Sequence, residues 1–138
     1  MWWVYAILSA VFASLTAIFA KLGVANINSN LATAIRTLVV LFMIWIIVLS
    51  RNEAKGIGSL TKQNLFFLVI SGIATGLSWI FYFKALQIGD VSKVAPVDKL
   101  SLALTIVLSA IFLGEAINVK TAIGALLIVA GTLVLIIK

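Results

Sequence analysis

Hydroxyl and aromatic side chains recur at helical spacing within an apolar segment near the middle of the chain. They are Ser71, Thr75, Ser78, Trp79 and Tyr82. Three- and four-residue intervals place the three hydroxyl-bearing positions and the tyrosine on one helix face, with the tryptophan beside them. Such a face can offer hydrogen bonds and ring surface to a small solute in a cavity. The alternative is helix packing, because Ser and Thr bond their own backbone and Gly72 and Gly76 form a GxxxG spacing.

A second polar face follows on the next apolar segment. Asp98, Ser101 and Thr105 are spaced by three and four residues, and Ser109 continues the series. Pro96, the only proline, is expected in the first turn of this helix, where its missing N–H has no bonding role. Lys99 would point about 100° away from its neighbour Asp98, so the two should pair poorly. The Asp98 carboxylate could instead pair with Arg36 or Lys21, either within a protomer or across a dimer.

Arg36 interrupts an apolar segment six residues beyond Asn30, about 9 Å along a helix at 1.5 Å per residue. A cation at that depth in a membrane is costly unless it is paired or hydrated, and it often marks a substrate path. The competing interpretation is a side chain that reaches back to the nearby interface. With Lys21, Lys84 and Lys99, the segment ends lean positive, which favours an anionic, zwitterionic or neutral solute over a lipophilic cation.

The composition of the chain defines its class. Of 138 residues, 64% are hydrophobic and only 10% are charged, against about 25% charged in soluble domains, so we expect an integral membrane protein. A net charge of +6 does not indicate nucleic-acid binding here, because the basic residues stand singly near segment ends. The chain contains no Cys and no His, and no nucleophile–base spacing, metal motif or nucleotide motif is visible. We predict no catalytic residues, no metal and no cofactor, and therefore not an enzyme.

Five apolar segments are long enough to span a bilayer as helices. Their predicted bounds are 2–23, 31–49, 65–83, 94–113 and 119–137. Short connections make successive helices antiparallel, which predicts an all-α membrane protein with five transmembrane helices in an up-down bundle. Residues 1–138 would form a single domain, multi-pass in the inner or plasma membrane. Gly114 suits a helix end and Asn118 the start of the last helix.

The basic residues give almost no orientation signal. With the N-terminus inside the cell, four lie inside and six outside, which accounts for all ten. The inner four are Arg51, Lys55, Lys62 and Lys120, and the outer six are Lys21, Arg36, Lys84, Lys93, Lys99 and Lys138. Because a strong bias normally fixes orientation, this balance favours dual topology and an antiparallel homodimer. Gly124 and Gly131, seven residues apart on the last helix, are the expected dimer seam.

The order of these motifs resembles the EamA-type domain of the drug/metabolite transporter superfamily, and its single-repeat, five-helix branch in bacteria and archaea. The similarity lies in WVYAILSAVFASLTAIFAKLG, in ATAIRT, in ALQIGDVSKVAP with DKLSLALTIVLSAIFLGE, and in GALLIVAGTLVLI. It implies one EamA-type repeat, whose larger relatives fuse two inverted copies around a central cavity. It implies alternating-access transport of small metabolites, with Arg36, Ser78, Trp79, Tyr82 and Asp98 as cavity residues.

These patterns together predict a secondary transporter that moves a small metabolite or drug-like solute across the lipid bilayer by alternating access, as an antiparallel homodimer. The alternative is a non-transporting membrane subunit or scaffold, in which the polar faces are helix-packing seams. Water access to the polar faces distinguishes the two, because only a transporter requires it.

Overall fold

The computed structural model describes residues 1–137, and these are helical with short connections and no strand. The helices are α1 Trp2–Val24, α2 Ser29–Ser50, α3 Lys62–Ile88, α4 Val91–Asp98, α5 Leu100–Phe112 and α6 Val119–Ile136, with a 3₁₀ helix at Glu53–Ser59. Five spans are long and apolar enough to cross a membrane: α1, α2, α3, the pair α4–α5, and α6. The predicted all-α membrane class is confirmed. Lys138, which entered the charge balance, lies outside the described residues.

The chain divides into two compact units, residues 18–88 and residues 1–17 with 89–137. In the first unit, α2 and α3 pack as a hairpin joined by the 3₁₀ helix. The Asn28 side chain caps the start of α2 by accepting a hydrogen bond from the Asn30 backbone N–H at 2.8 Å. The turn at residues 26–30, with three asparagines, favours such a cap because the first N–H groups of a helix have no backbone partner.

Two long-range hydrogen bonds hold the end of α3 beside the turn between α1 and α2. The Lys21 ammonium donates to the Leu86 carbonyl at 2.6 Å, and the Gln87 amide donates to the Ile27 carbonyl at 2.9 Å. The Leu86 carbonyl belongs to the last turn of α3, whose carbonyls lack helical partners and attract cations. We call these two bonds the α3 end clamp. Val24 and Leu86 are fully buried in this region, so the clamp is backed by apolar packing.

The second unit contains α4, α5 and α6, and both turn predictions here are confirmed. Gly114, just past α5, adopts φ +69°, a left-handed conformation that glycine tolerates at no steric cost. The Asn118 side chain accepts a hydrogen bond from the Thr121 backbone N–H at 2.9 Å and so caps α6. Thr132 on α6 is buried, and its hydroxyl donates to the Ile128 carbonyl at 2.8 Å, with the Pro96 carbonyl at 3.4 Å.

The fourth span differs from the continuous helix predicted at 94–113. It starts earlier, with Asp90 as the N-cap residue of α4, so Pro96 is the sixth helical residue and not a first-turn residue. An interior proline cannot donate to the carbonyl four residues back, and its ring crowds that carbonyl. α4 ends two residues later, at Asp98, and α5 begins at Leu100. The Lys99 N–H closes the break by donating to the Pro96 carbonyl at 3.0 Å.

α3 is longer than its predicted segment, with 27 residues against the predicted bounds 65–83. Twenty-seven residues span about 40 Å, more than the roughly 30 Å of a hydrocarbon core. Its last turn carries the α3 end clamp. Just before this turn, the Lys84 ammonium donates to the side-chain oxygen of Gln87 at 3.3 Å.

Candidate functional site

Arg36 lies on α2, seven residues after the helix starts at Ser29, and its side chain is half-buried. Its guanidinium carbon is 4.2 Å from the centre of the Trp79 ring and 5.6 Å from the centre of the Phe83 ring, both on α3. These distances are those of cation–π contacts, which gain strength where water is excluded. The α2–α3 hairpin therefore positions a cation on an aromatic surface within a membrane span.

The aromatic surface results from helical spacing on α3. Trp79 and Phe83 are four residues apart, so their rings lie on one face of the helix. Phe83 is buried and its ring meets that of Tyr82 edge-on, with 6.4 Å between centroids. Because Phe83 is buried, it fixes the edge of this aromatic surface that is nearer to the end of α3. We call Arg36, Trp79 and Phe83 the arginine–aromatic cluster.

The position of the guanidinium argues against a side chain that reaches back to the near interface. That interface lies at the α3 end clamp, toward Leu86 and Gln87. Phe83 is one helical turn nearer to the clamp than Trp79, about 6 Å along the axis. The guanidinium is nevertheless closer to Trp79. The guanidinium of Arg36 therefore lies beside Trp79, about one helical turn farther from that interface than Phe83.

No carboxylate of its own unit neutralises Arg36. Glu53 is the only acidic residue in residues 18–88, and it pairs with Arg51 at 3.8 Å beyond the other end of α2. Within residues 18–88 the guanidinium N–H groups also form no hydrogen bond to a protein acceptor. Within this unit the guanidinium therefore lies against aromatic side chains and not against a carboxylate.

The α3 hydroxyl positions lie on an open face of the helix. Ser71, Thr75 and Ser78 are exposed, whereas Trp79 and Tyr82 are half-buried. The Thr75 hydroxyl donates to the Ser71 carbonyl at 2.9 Å, which satisfies its proton within the helix. A Cβ built at Gly72 or Gly76 would meet no atom within 4 Å, so nothing packs closely on the GxxxG face.

The second polar face lies at the break in the fourth span. Asp98 is the last residue of α4, and its carboxylate forms an ion pair with Lys99 at 3.2 Å. The pairing of Asp98 with Arg36 or Lys21 stays a prediction, but the expectation that Asp98 and Lys99 would pair poorly was wrong. It assumed an unbroken helix with a fixed 100° step, whereas α4 ends between the two residues. On α5, Ser101 and Thr105 are exposed, and the Thr105 hydroxyl donates to the Ser101 carbonyl at 2.8 Å.

The structure thus brings Arg36 and Trp79 together, with Tyr82 adjoining through Phe83, and it places Asp98 at the head of the Ser101–Thr105 face. Phe83 was not among the predicted site residues, although its four-residue spacing from Trp79 was a signal for it. Among residues 1–137 there is no group of three or more Asp, Glu, His or Cys side chains that could hold a metal ion.

Comparison with known proteins identifies the family. The model of the EamA-like transporter family matches residues 1–137. An "uncharacterized transporter in cobO 3′ region" from Sinorhizobium sp. is 46% identical over 134 residues, covering 97% of this chain and 95% of its own. The "uncharacterized protein MJ1333.1" of Methanocaldococcus jannaschii is 29% identical over 129 residues, covering 94% and 91%. No solved structure matches the chain.

The family match spans nearly the whole chain, and the Sinorhizobium relative has almost the same length. Five membrane-spanning helices agree with both findings. The protein is an integral membrane protein, and it belongs to the EamA-like transporter family.

Proposed function

We propose that this chain is a secondary transporter that moves a small metabolite or drug-like solute across the membrane by alternating access, as an antiparallel homodimer. The observation behind the proposal is the arginine–aromatic cluster, a cation held at depth in a membrane span without a carboxylate from its own unit. Ionisable groups inside a membrane are rare and mark substrate or ion paths. The family membership and the transporter name of the Sinorhizobium relative support the same function.

The α3 and α5 faces are the proposed cavity walls. In this account the solute contacts Ser71, Thr75 and Ser78 with Arg36, Trp79 and Tyr82 on one polar face, and Asp98, Ser101 and Thr105 on the second polar face. The exposure of the α3 and α5 hydroxyl positions and the empty space beside Gly72 and Gly76 support an open passage. The Asp98–Lys99 break supplies a flexible point in a span, as discontinuous helices do at transporter sites.

The antiparallel homodimer is proposed because one copy contributes a single five-helix repeat. Inverted repeats surround the site in many transporters, and two oppositely inserted copies reproduce that arrangement without gene fusion. The four-to-six division of basic residues leaves both orientations open. On α6, a Cβ built at Gly124 or Gly131 would meet no atom within 4 Å, so these glycines are available to a second copy. The proposed membrane is the inner or plasma membrane.

A scaffold or non-transporting subunit is the second candidate, and one observation favours it. The Thr75 and Thr105 hydroxyls both donate to carbonyls of their own helices. Hydroxyls satisfied in this way can lie in packing seams without any water or solute. In that case the polar faces would be closed by neighbouring helices or by a partner.

Thiol accessibility separates the two candidates. The chain has no native cysteine, so Ser78→Cys and Thr105→Cys would introduce single reactive positions. Matched controls are Leu77→Cys and Leu104→Cys, whose apolar side chains are exposed on the adjoining helix faces. A transporter predicts that a water-soluble maleimide labels the two polar-face variants in membranes and leaves the two leucine variants unlabelled. Equal inertness of all four variants would support the scaffold and remove the proposed cavity.

A further inference from the structure

We infer that Arg36 binds the carboxylate of an anionic solute, and that the transported class is small monocarboxylates with an apolar body. This inference rests on the proposed function and names the substrate class of the same site. The first observation concerns the counter-charge of Arg36. The one acidic residue of residues 18–88 is engaged with Arg51, so the Arg36 cation has no carboxylate in its own unit. A ligand carboxylate would supply the missing counter-charge.

The geometry leaves the donors of the guanidinium available. A guanidinium over an aromatic ring uses its flat face, while its five N–H donors lie in the plane and point outward. The Arg36 guanidinium carbon lies 4.2 Å from the centre of the Trp79 ring and 5.6 Å from that of Phe83, and within residues 18–88 no acceptor bonds its N–H groups. Stacking on the buried Phe83 and half-buried Trp79 also restricts the side chain, so less freedom is lost when a ligand binds. The cluster is therefore arranged for a two-pronged carboxylate contact.

The surroundings specify the rest of the ligand. The side chains nearest the guanidinium are aromatic rings, which favour an apolar or planar body beside the carboxylate. A single cation in the cluster matches a single negative charge. The same oxyanion chemistry exists in lipid phosphates. Arg36 lies about 10 Å inside α2, however, and its guanidinium is closer to Trp79 than to Phe83, which is nearer the helix end; this favours a solute over a headgroup.

Benzoate and its neutral counterpart benzamide test the inference with the full chain in a maltoside detergent. Trp79 would be the reporter in a background carrying Trp2→Phe, Trp3→Phe and Trp45→Phe. We expect a saturable change in Trp79 fluorescence with benzoate and none with benzamide. Arg36→Gln should weaken the apparent affinity about tenfold or more, because a charge-assisted, two-pronged contact is lost. Arg36→Lys should fall between, because it keeps the charge without the fork.

Equilibrium dialysis of radiolabelled benzoate against the chain with all four tryptophans covers the case in which the triple variant fails to fold. Absence of saturable benzoate binding, or equal binding by Arg36→Gln, would overturn the inference. A stronger Arg36-dependent response to phosphatidylglycerol or to inorganic phosphate would also overturn it, by making the cluster a phosphate site. Binding in detergent does not require transport, so this assay and the thiol labelling can give different answers. If benzoate binds in an Arg36-dependent way but Ser78→Cys is not labelled in membranes, the proposed transport is wrong and the carboxylate site remains.

Discussion

At the scale of single residues, the account depends on where three cations are held. Arg36 stacks on aromatic rings within a span, Lys21 binds a helix-end carbonyl, and Lys99 pairs with its neighbour Asp98. Only the first lacks a carboxylate or carbonyl partner in its own unit, and this difference makes Arg36 the candidate for solute binding. Lys21, which could equally have been an interfacial anchor, has a structural role.

Replacing Lys21 should loosen the α3 end clamp. Lys21→Met keeps the apolar stem but removes the donor to the Leu86 carbonyl, so the folded state should lose about 1 kcal/mol. Unfolding in mixed micelles at increasing denaturing detergent would show a lower midpoint. Lys55→Met, at an exposed lysine of the 3₁₀ helix, is the matched control and should leave the midpoint unchanged. Equal midpoints for the two variants would show that the Lys21 bond of the clamp contributes nothing to stability.

At the scale of helices, the fourth span is the element that departs most from a regular bundle. Pro96 in the interior of α4 and the end of that helix at Asp98 leave two short helices where the sequence predicts one. Thr132 of α6 lies against the Pro96 carbonyl and so contacts the span two residues before α4 ends. The span can bend here with few hydrogen bonds to break.

Pro96→Ala should straighten and stiffen this span. Alanine restores the N–H that proline lacks and removes the ring that crowds the preceding turn. Backbone amides from 93 to 99 should then exchange with deuterium more slowly, by a factor of up to about ten, as local opening becomes costlier. Val97→Ala, one residue away in the same helix, is the control for a local loss of side-chain volume. Comparable exchange in both variants would mean that the break does not originate at Pro96.

Two helix-end residues and the membrane class were predictable from local chemistry, whereas the contacts within the candidate site were not. Asn118 and Gly114 occupy the cap and turn that their side chains and backbone freedom favour, because caps depend on neighbours in sequence. The break in the fourth span was mispredicted because the effect of Pro96 depends on where α4 starts. With Asp90 as the N-cap residue, α4 starts at Val91, and Pro96 lies in the helix interior. The stacking of Arg36 on Trp79 joins residues 43 positions apart, and only the packing of α2 on α3 determines it.

At the scale of the whole molecule, α6 has a symmetry that suits an inverted partner. Gly124 and Gly131 lie equally far, about 5 Å, on either side of the midpoint of α6, which falls between Leu127 and Ile128. If two copies of α6 cross antiparallel at that midpoint, Gly124 of one copy lies level with Gly131 of the other. A parallel pair would instead place each glycine beside its own counterpart.

Cysteine cross-linking distinguishes these arrangements. Mixed membranes containing Gly124→Cys and Gly131→Cys chains should form a disulfide-linked dimer under mild oxidation, because level positions can approach within the roughly 7 Å that a disulfide requires. Either variant alone should cross-link poorly, since an antiparallel pair separates like positions by about 10 Å. Efficient cross-linking of each variant with itself would indicate a parallel seam.

The central claim, that oppositely inserted copies make up the transporter, is tested most directly by measuring orientation. Asn26, in the turn after α1, and Ser59, at the end of the 3₁₀ helix, are exposed and lie on opposite sides of the membrane in either orientation. Asn26→Cys and Ser59→Cys chains would be labelled in intact cells with a membrane-impermeant maleimide. The account predicts labelling of about half of each. Complete labelling of one and none of the other would fix a single orientation and contradict the antiparallel dimer.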